Sequence, residues 1–308
     1  MDTAFREITP PSAVHHALCG TFIDGHTPCL LIAKASLLQI YLIQSEKLYL
    51  YLQISLHGVI VNMKLITEQG RGKSLLLLAF KDAKVSVLEY DPSLHDLITV
   101  SIHYFEREEF KTRFTVLNYE PKLQVDPQNS CAMLYFYEEY FAIIPFKSRS
   151  FSFPAASSLT SDDAFLDSAN APYLPSFTLH INDLDKGIKN VLDFVFLHGY
   201  TDPTIAILFE PKQTFHGRQG HRSDTVCLMM FSLNIHQRQY TCIQKIDGLP
   251  FTCWKLEALP QPTGGVLVLG TTILVHADQI SPGCMVGVNP MSSDETMHRD
   301  ISKLGGGV

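Results

Sequence analysis

Seven cysteines are the first residues in this sequence that could do chemistry, because thiolates act as nucleophiles and as metal ligands. They stand at irregular spacing with no CxxC pair, at Cys19, Cys29, Cys131, Cys227, Cys242, Cys253 and Cys284. Zinc sites need closely spaced pairs, and disulfide frameworks use an even number of cysteines. We therefore predict reduced, mostly buried thiols, with no metal site and no bound cofactor.

The segment Gly72-Lys73-Ser74 resembles the end of a phosphate-binding loop. The first glycine of such a loop would fall at position 67, which is Thr67. The residues that follow, LLLLAF, predict a strand, so no helix N-terminus is available to hold phosphate. We interpret the segment as a solvated turn.

The other catalytic patterns fail in a similar way. His298-Arg299-Asp300 matches the start of a kinase catalytic loop, but the metal-binding Asn would fall at Gly305. No HExxH, GxSxG or EF-hand loop occurs, and the thirteen histidines show no ligand spacing. The sequence therefore predicts that the chain is not an enzyme and has no small-molecule substrate.

One basic stretch could bind RNA or an acidic partner. It runs from residue 212 to residue 222 without an acidic residue, and its candidate contact residues are Lys212, His216, Arg218 and Arg222, with His221 beside them. Phe215 alone is too little aromatic surface for base stacking. The alternative reading is a solvated loop between two strands.

The net charge argues against strong nucleic-acid binding by the whole domain. Twenty-four basic residues stand against 31 acidic ones, a formal charge of −7. Asp2, Arg6 and Glu7 occupy the place of a signal-peptide core, and the run Leu75 to Phe80 is far shorter than the roughly 18 residues of a spanning helix. We expect a soluble, intracellular protein that does not enter a membrane.

The elements that must position these residues are predicted to be β-hairpins. Apolar segments of about seven residues occur in pairs separated by short polar turns, or in the fourth pair along the chain by a longer polar loop. The pairs lie at 30–43, 75–90, 131–145, 204–235 and 266–275, with turn centres near residues 35, 82, 138, 216 and 271. A third strand, Leu97 to Tyr104, follows the second pair. Its alternation puts Ile102 and Tyr104 on an apolar face and His103 on the polar face.

An irregular repeat of strand-turn-strand units predicts an all-β fold of the β-propeller type. Residues 148–176, rich in Ser, Ala, Asp and Pro, are interpreted as a disordered insertion between blades. A linker between two domains is the alternative. The single tryptophan, Trp254, is followed by Lys255, so the WD dipeptide of common propellers is absent.

Three long segments resemble the N-terminal region of the large subunit of the cleavage and polyadenylation specificity factor. They are SLLLLAFKDAKVSVLEYDPSLHDLITVSIHYFE at 74–106, FLHGYTDPTIAILFEPKQTFHGR at 196–218 and LPFTCWKLEALPQPTGGVLVLGTTILVHADQ at 249–279. The likeness runs from about Leu30 to about Asn289 in the family's order. The large subunit of the damaged-DNA-binding complex and the propeller subunit of splicing factor 3b share the pattern more loosely.

This resemblance implies a nuclear, non-catalytic scaffold. In the family, three seven-bladed propellers hold a WD-repeat subunit and a zinc-finger subunit, which read the AAUAAA signal, while cleavage belongs to a different subunit. The RNA would then be bound weakly or through the complex.

Domain boundaries follow from the same resemblance. We expect a propeller over residues 1–289 and a divergent, disordered tail over 290–308. Five hairpins against the family's seven blades predict an incomplete propeller and a truncated product. Two other functions stay open: an adaptor of the damaged-DNA-binding, ubiquitin-ligase or splicing factor 3b type, and a propeller hydrolase.

Overall fold

The computed structural model describes residues 9–67, 74–111, 120–146, 174–212, 224–279 and 283–288. Within these ranges the chain forms twenty strands, one short α-helix and one 3₁₀ turn, and the strands make five four-stranded antiparallel sheets. The predicted all-β fold is confirmed. None of the described helices is both long enough and apolar enough to cross a membrane.

The chain divides into two compact units. Unit 1 takes the described residues up to 123 together with Met133–Tyr137, and unit 2 takes Gln124–Ala132 and the described residues from 138 onwards. Sheets 1 and 2 belong to unit 1, and sheets 4 and 5 belong to unit 2.

Sheet 1 follows the chain in strand order. Its strands are β1 (His16–Thr21), β2 (Pro28–Lys34), β3 (Leu37–Gln44) and β4 (Lys47–Ser55). The β3–β4 turn is Ser45-Glu46, and both residues have positive φ, at 48° and 64°. Positive φ at both central residues matches the right-handed twist of the flanking strands, which favours a tight hairpin.

Sheet 2 has the same consecutive order. Its strands are β5 (Ile60–Thr67), β6 (Ser74–Phe80), β7 (Lys84–Asp91) and β8 (Asp96–Tyr104). Every residue of β6 is buried, since apolar side chains project from both of its faces. One core cluster joins the facing sides of sheets 1 and 2 and includes Leu31, Ile40, Leu76 and Phe80.

Sheet 3 is formed by β9 (Lys122–Val125), β10 (Cys131–Phe136), β11 (Tyr140–Pro145) and β12 (Phe177–His180). Helix α1 (Ile181–Leu184) follows β12, and the His180 side chain accepts a hydrogen bond from the Asn182 N–H at its start. The 3₁₀ turn Glu108–Lys111 precedes this sheet.

Sheets 4 and 5 lie wholly within unit 2. Sheet 4 has β13 (Val191–Phe196), β14 (Thr204–Phe209), β15 (Val226–Asn234) and β16 (Gln239–Leu249). Sheet 5 has β17 (Cys253–Ala258), β18 (Val266–Gly270), β19 (Ile273–Ala277) and β20 (Cys284–Gly287). A second core cluster, including Leu208, Leu228, Leu256 and Val268, lies between them.

Each of the five hairpins predicted from the sequence is the middle pair of one sheet. These pairs are β2–β3, β6–β7, β10–β11, β14–β15 and β18–β19. The middle strands β6, β10 and β14 are buried along their whole length, so they appear in the sequence as continuous apolar runs.

The predicted faces of β8 are wrong. His103 is only 8% exposed, whereas Ile102 is 60% and Tyr104 is 59% exposed. The alternation itself is correct. Strand β8 is the last strand of its sheet, and only one of its two faces is buried, the face that carries His103. An apolar side chain on such a strand does not identify the core side.

Two other predictions fall largely outside the described residues. Residues 147–173 account for nearly all of the expected insertion, and the described residues 174–176 lead into β12. Residues 289–308 contain the whole expected tail. The insertion, the tail, the domain boundaries and the completeness of the propeller stay predictions.

Candidate interaction surface

The basic loop proposed as an RNA or partner site leaves the end of β14. Lys212 is exposed, whereas His216, Arg218 and Arg222 lie outside the described residues. At the base of the loop, the Thr225 hydroxyl donates to the Glu210 carboxylate over 2.6 Å. The Asn190 side-chain amide donates to the Glu210 backbone oxygen over 2.9 Å. Both ends of the loop are therefore held in place beside sheet 4.

Most of the cysteines are buried as free thiols. All seven are unpaired, and Cys29, Cys131, Cys227 and Cys253 are buried while Cys19, Cys242 and Cys284 are exposed. Burial raises the pKa of Cys227 and of Cys253 to about 12. A thiol with such a pKa is almost entirely protonated at neutral pH and is a poor nucleophile.

His103 is similarly unsuited to acid–base chemistry near neutral pH. Its Nε2 lies 3.2 Å from the Ser101 hydroxyl, on the buried face of β8. Desolvation lowers the pKa of His103 from 6.5 to about 4, so the ring is neutral at pH 7.

The described residues contain no group of three or more His, Cys, Asp or Glu side chains that could hold a metal ion. At the proposed phosphate-loop segment, Ser74 is buried and pairs with Thr67 as the first residue of β6, while Gly72 and Lys73 lie outside the described ranges. The chain thus continues from Ser74 as a strand, as the sequence predicted.

The outer strands of sheets 1 and 2 expose large apolar side chains. On β4 these are Leu48, Tyr49 and Leu50, and on β8 they are Ile98, Ile102 and Tyr104. We call these two strands the outer edge of unit 1. Large exposed side chains that lie together on a surface mark an interaction site more often than isolated ones do.

A hydrogen-bonded aromatic cluster ties β4 to the β7–β8 hairpin. The Tyr51 and Tyr90 hydroxyl oxygens lie 2.7 Å apart, and the Tyr90 hydroxyl lies 2.9 Å from His95 Nδ1. The Tyr51 and His95 rings meet edge to face, with centroids 4.8 Å apart. These contacts hold β4 against the β7–β8 hairpin.

Sequence reasoning missed the outer edge for two reasons. Strand β4 was not predicted as part of a hairpin, and β8 was predicted with its faces inverted. The available signal was composition: from Leu48 to Ser55 and from Leu97 to Tyr104, the two strands contain no Asp, Glu, Lys, Arg or Pro. Edge strands usually contain such residues as a protection against unwanted pairing.

Consecutive four-stranded antiparallel sheets and a non-WD repeat define a protein of the β-propeller class. The chain belongs to the family described as the RSE1/DDB1/CPSF1 first beta-propeller, whose match covers residues 13–299. This confirms the predicted fold and the resemblance to the polyadenylation factor.

The curated relatives agree with the family. Cleavage and polyadenylation specificity factor subunit 1 of Drosophila melanogaster is 34% identical over 246 residues, covering 79% of this chain and 17% of that protein. Protein cft1 of Aspergillus niger is 31% identical over 326 residues, covering 94% of this chain and 24% of that protein. A probable subunit 1 of Caenorhabditis briggsae is 33% identical over 214 residues, covering 70% of this chain and 13% of that protein. The chain therefore spans a quarter or less of these relatives' length.

Proposed function

We propose that this chain is a non-catalytic scaffold of the nuclear machinery that cleaves and polyadenylates pre-mRNA 3′ ends. The family match over residues 13–299 carries the proposal, together with relatives that include cleavage and polyadenylation specificity factor subunit 1. The family description also contains DDB1, so an adaptor function would use the same fold. The relatives named above favour the polyadenylation function over the adaptor function.

The chemistry of the described residues supports a non-catalytic role. The Cys227 and Cys253 thiols are protonated at neutral pH, and His103 is neutral and buried. A nucleophile or a general base needs a pKa near the working pH and access to its substrate. These groups meet neither condition.

The scaffold would act by presenting loops and outer strands to other proteins. Rigid sheets position such segments while the segments themselves remain free to vary. The partners implied by the resemblance are the WD-repeat and zinc-finger subunits that read AAUAAA. In this proposal the chain organises those subunits and does not read the signal itself.

Direct RNA contact would be limited to the basic loop. The charge of −7 opposes phosphate binding by the whole chain. Lys212, Arg218 and Arg222 would contact phosphates, which carry no base information directly. Such binding would be weak, dependent on salt and indifferent to sequence.

Co-expression with the WD-repeat and zinc-finger subunits tests the scaffold function. We expect both subunits to co-purify with a tagged longer protein that contains this region, and to be lost when the region is deleted. Retention of both subunits after the deletion would contradict the proposal. An RNA titration of the chain alone, with AAUAAA and a scrambled sequence, is the second arm: tight binding selective for AAUAAA would also contradict it.

A further inference from the structure

Strand β8 is an unusually accessible sheet edge. It is nine residues long, and among the described strands it pairs only with β7. From Leu97 to Tyr104 it contains neither charge nor proline. A strand with these properties offers unpaired backbone N–H and C=O groups to another extended chain.

The last strands, in chain order, of the other described sheets show how this chain protects an edge. Strands β12 and β20 have only four residues each. Strand β16 is longer, but it carries Lys245 and Asp247, whose charged atoms lie 3.0 Å apart. Short length and charge are the usual protections against added strands. Strand β8 is long and carries no charged residue after Asp96, and β4 is likewise long and uncharged after Lys47.

Charge distinguishes β8 from β4. At the start of β4, Glu46 and Lys47 have opposite charges. At the start of β8, Asp91 and Asp96 face each other across the hairpin. Backbone hydrogen bonds orient both carboxylates, from the Ser93 N–H to Asp91 over 2.8 Å and from the Leu97 N–H to Asp96 over 2.7 Å. The β8 edge therefore combines apolar side chains with an acidic end.

We propose that β8 binds an extended segment of a partner protein as a fifth strand of sheet 2. The backbone of the segment pairs with the free edge of β8, and its aliphatic side chains cover Ile102 and Tyr104. A lysine or arginine of the segment lies beside Asp96, the first residue of β8. A second copy of this chain is a poorer occupant, because each copy carries a charge of −7.

The inference deepens the proposed scaffold function and rests on it, since it names the surface that takes a partner. Peptide binding to the purified chain tests the surface, whereas co-purification of subunits tests the scaffold function. If the peptide fails to bind while the subunits co-purify, the β8 inference alone is wrong. If the peptide binds but the subunits do not co-purify with the longer protein, or stay bound after the region is deleted, the proposed function alone is wrong.

The probe is a fluorescent decapeptide of alternating valine and threonine with two lysines at one end, measured by anisotropy with the full chain. One control peptide has glutamates in place of the lysines, and a second has a central proline. We expect the lysine peptide to bind at least about tenfold more tightly than either control. Equal binding of the lysine and glutamate peptides would overturn the charge argument, and equal binding of the proline peptide would overturn strand pairing.

Two matched chain variants locate the site. Ile102→Lys adds a charge to the exposed face of β8, and Leu50→Lys makes the same kind of change on β4. We expect at least about a tenfold loss of peptide affinity in the first variant and less than about twofold in the second. Equal losses would overturn the assignment to β8, as would a dimer in light scattering that Ile102→Lys converts to monomer. Circular dichroism melts establish that both variants are folded.

Discussion

The carboxylate of Asp193 on β13 accepts a hydrogen bond from the backbone N–H of Leu256 on β17 over 2.9 Å. Asp193 is buried, so one side chain joins sheets 4 and 5 within their shared core. A buried N–H that loses its acceptor costs more free energy than the net value of the hydrogen bond.

Asp193→Ala should therefore destabilise the chain. We expect the free energy of unfolding to fall by about 2–3 kcal/mol, because the Leu256 N–H is left unpaired in the core. Urea denaturation measures the change. The control is Glu257→Ala, which removes an exposed ion pair with Lys255 and should cost about 0.5 kcal/mol or less. Similar losses in the two variants would show that Asp193 has no special structural role.

The thiols should separate into two reactivity classes. We expect rapid modification of the exposed Cys19, Cys242 and Cys284 by an aromatic disulfide reagent at about pH 8, and slow modification of the four buried cysteines. Burial keeps the reagent from the four buried thiols, and a pKa of about 12 also keeps the thiolates of Cys227 and Cys253 from forming. Absorbance of the released thiolate counts the fast class, and guanidinium unfolding gives all seven as a control. Five or more fast thiols in the folded chain would contradict this arrangement.

His103 should make stability depend on pH in a definite direction. Its folded pKa of about 4 lies below the ordinary value of 6.5, so between these values the unfolded chain binds more protons than the folded chain. The contribution of His103 to the free energy of unfolding is constant above pH 6.5. It decreases as the pH falls from 6.5 towards 4. With allowance for solvent screening, we expect His103 to lower the free energy of unfolding by about 1–2 kcal/mol between pH 6.5 and pH 4.

The comparison of wild type with His103→Gln isolates this contribution. Urea midpoints between pH 4 and 6.5 should fall less steeply in His103→Gln than in wild type. His236→Gln, at an exposed position, provides the control and should follow the wild-type curve. Parallel curves for wild type and His103→Gln would exclude His103 as the source of the pH dependence.

The basic loop should determine any RNA binding by the chain alone. We expect Lys212→Ala, Arg218→Ala and Arg222→Ala together to reduce the slope of log affinity against log salt by about 2, at about 0.7 per phosphate contact with single-stranded RNA. Binding titrations at several salt concentrations measure the slope.

The matched control replaces the exposed Lys186, Lys189 and Lys255 with alanine, which changes the net charge by the same amount. If this control reduced the slope equally, RNA binding would follow from net charge and not from the loop.

The sequence by itself determined the all-β class and the five central hairpins. Middle strands such as β6 are covered on both faces, so their burial requires an apolar side chain at almost every position. That requirement appears as a continuous run such as SLLLLAF. The turns of these hairpins were also predictable, because a polar pair such as Glu138-Glu139 interrupts the apolar pattern between β10 and β11.

The tertiary structure alone decided which side of an outer strand is covered. Ile102 and His103 alternate as the sequence suggests, but burial of His103 depends on the element that packs over that face. Tyr51 and Tyr90 are 39 residues apart, and Asp193 and Leu256 are 63 apart. Such contacts depend on how the sheets pack against one another, and local periodicity contains no information about that packing.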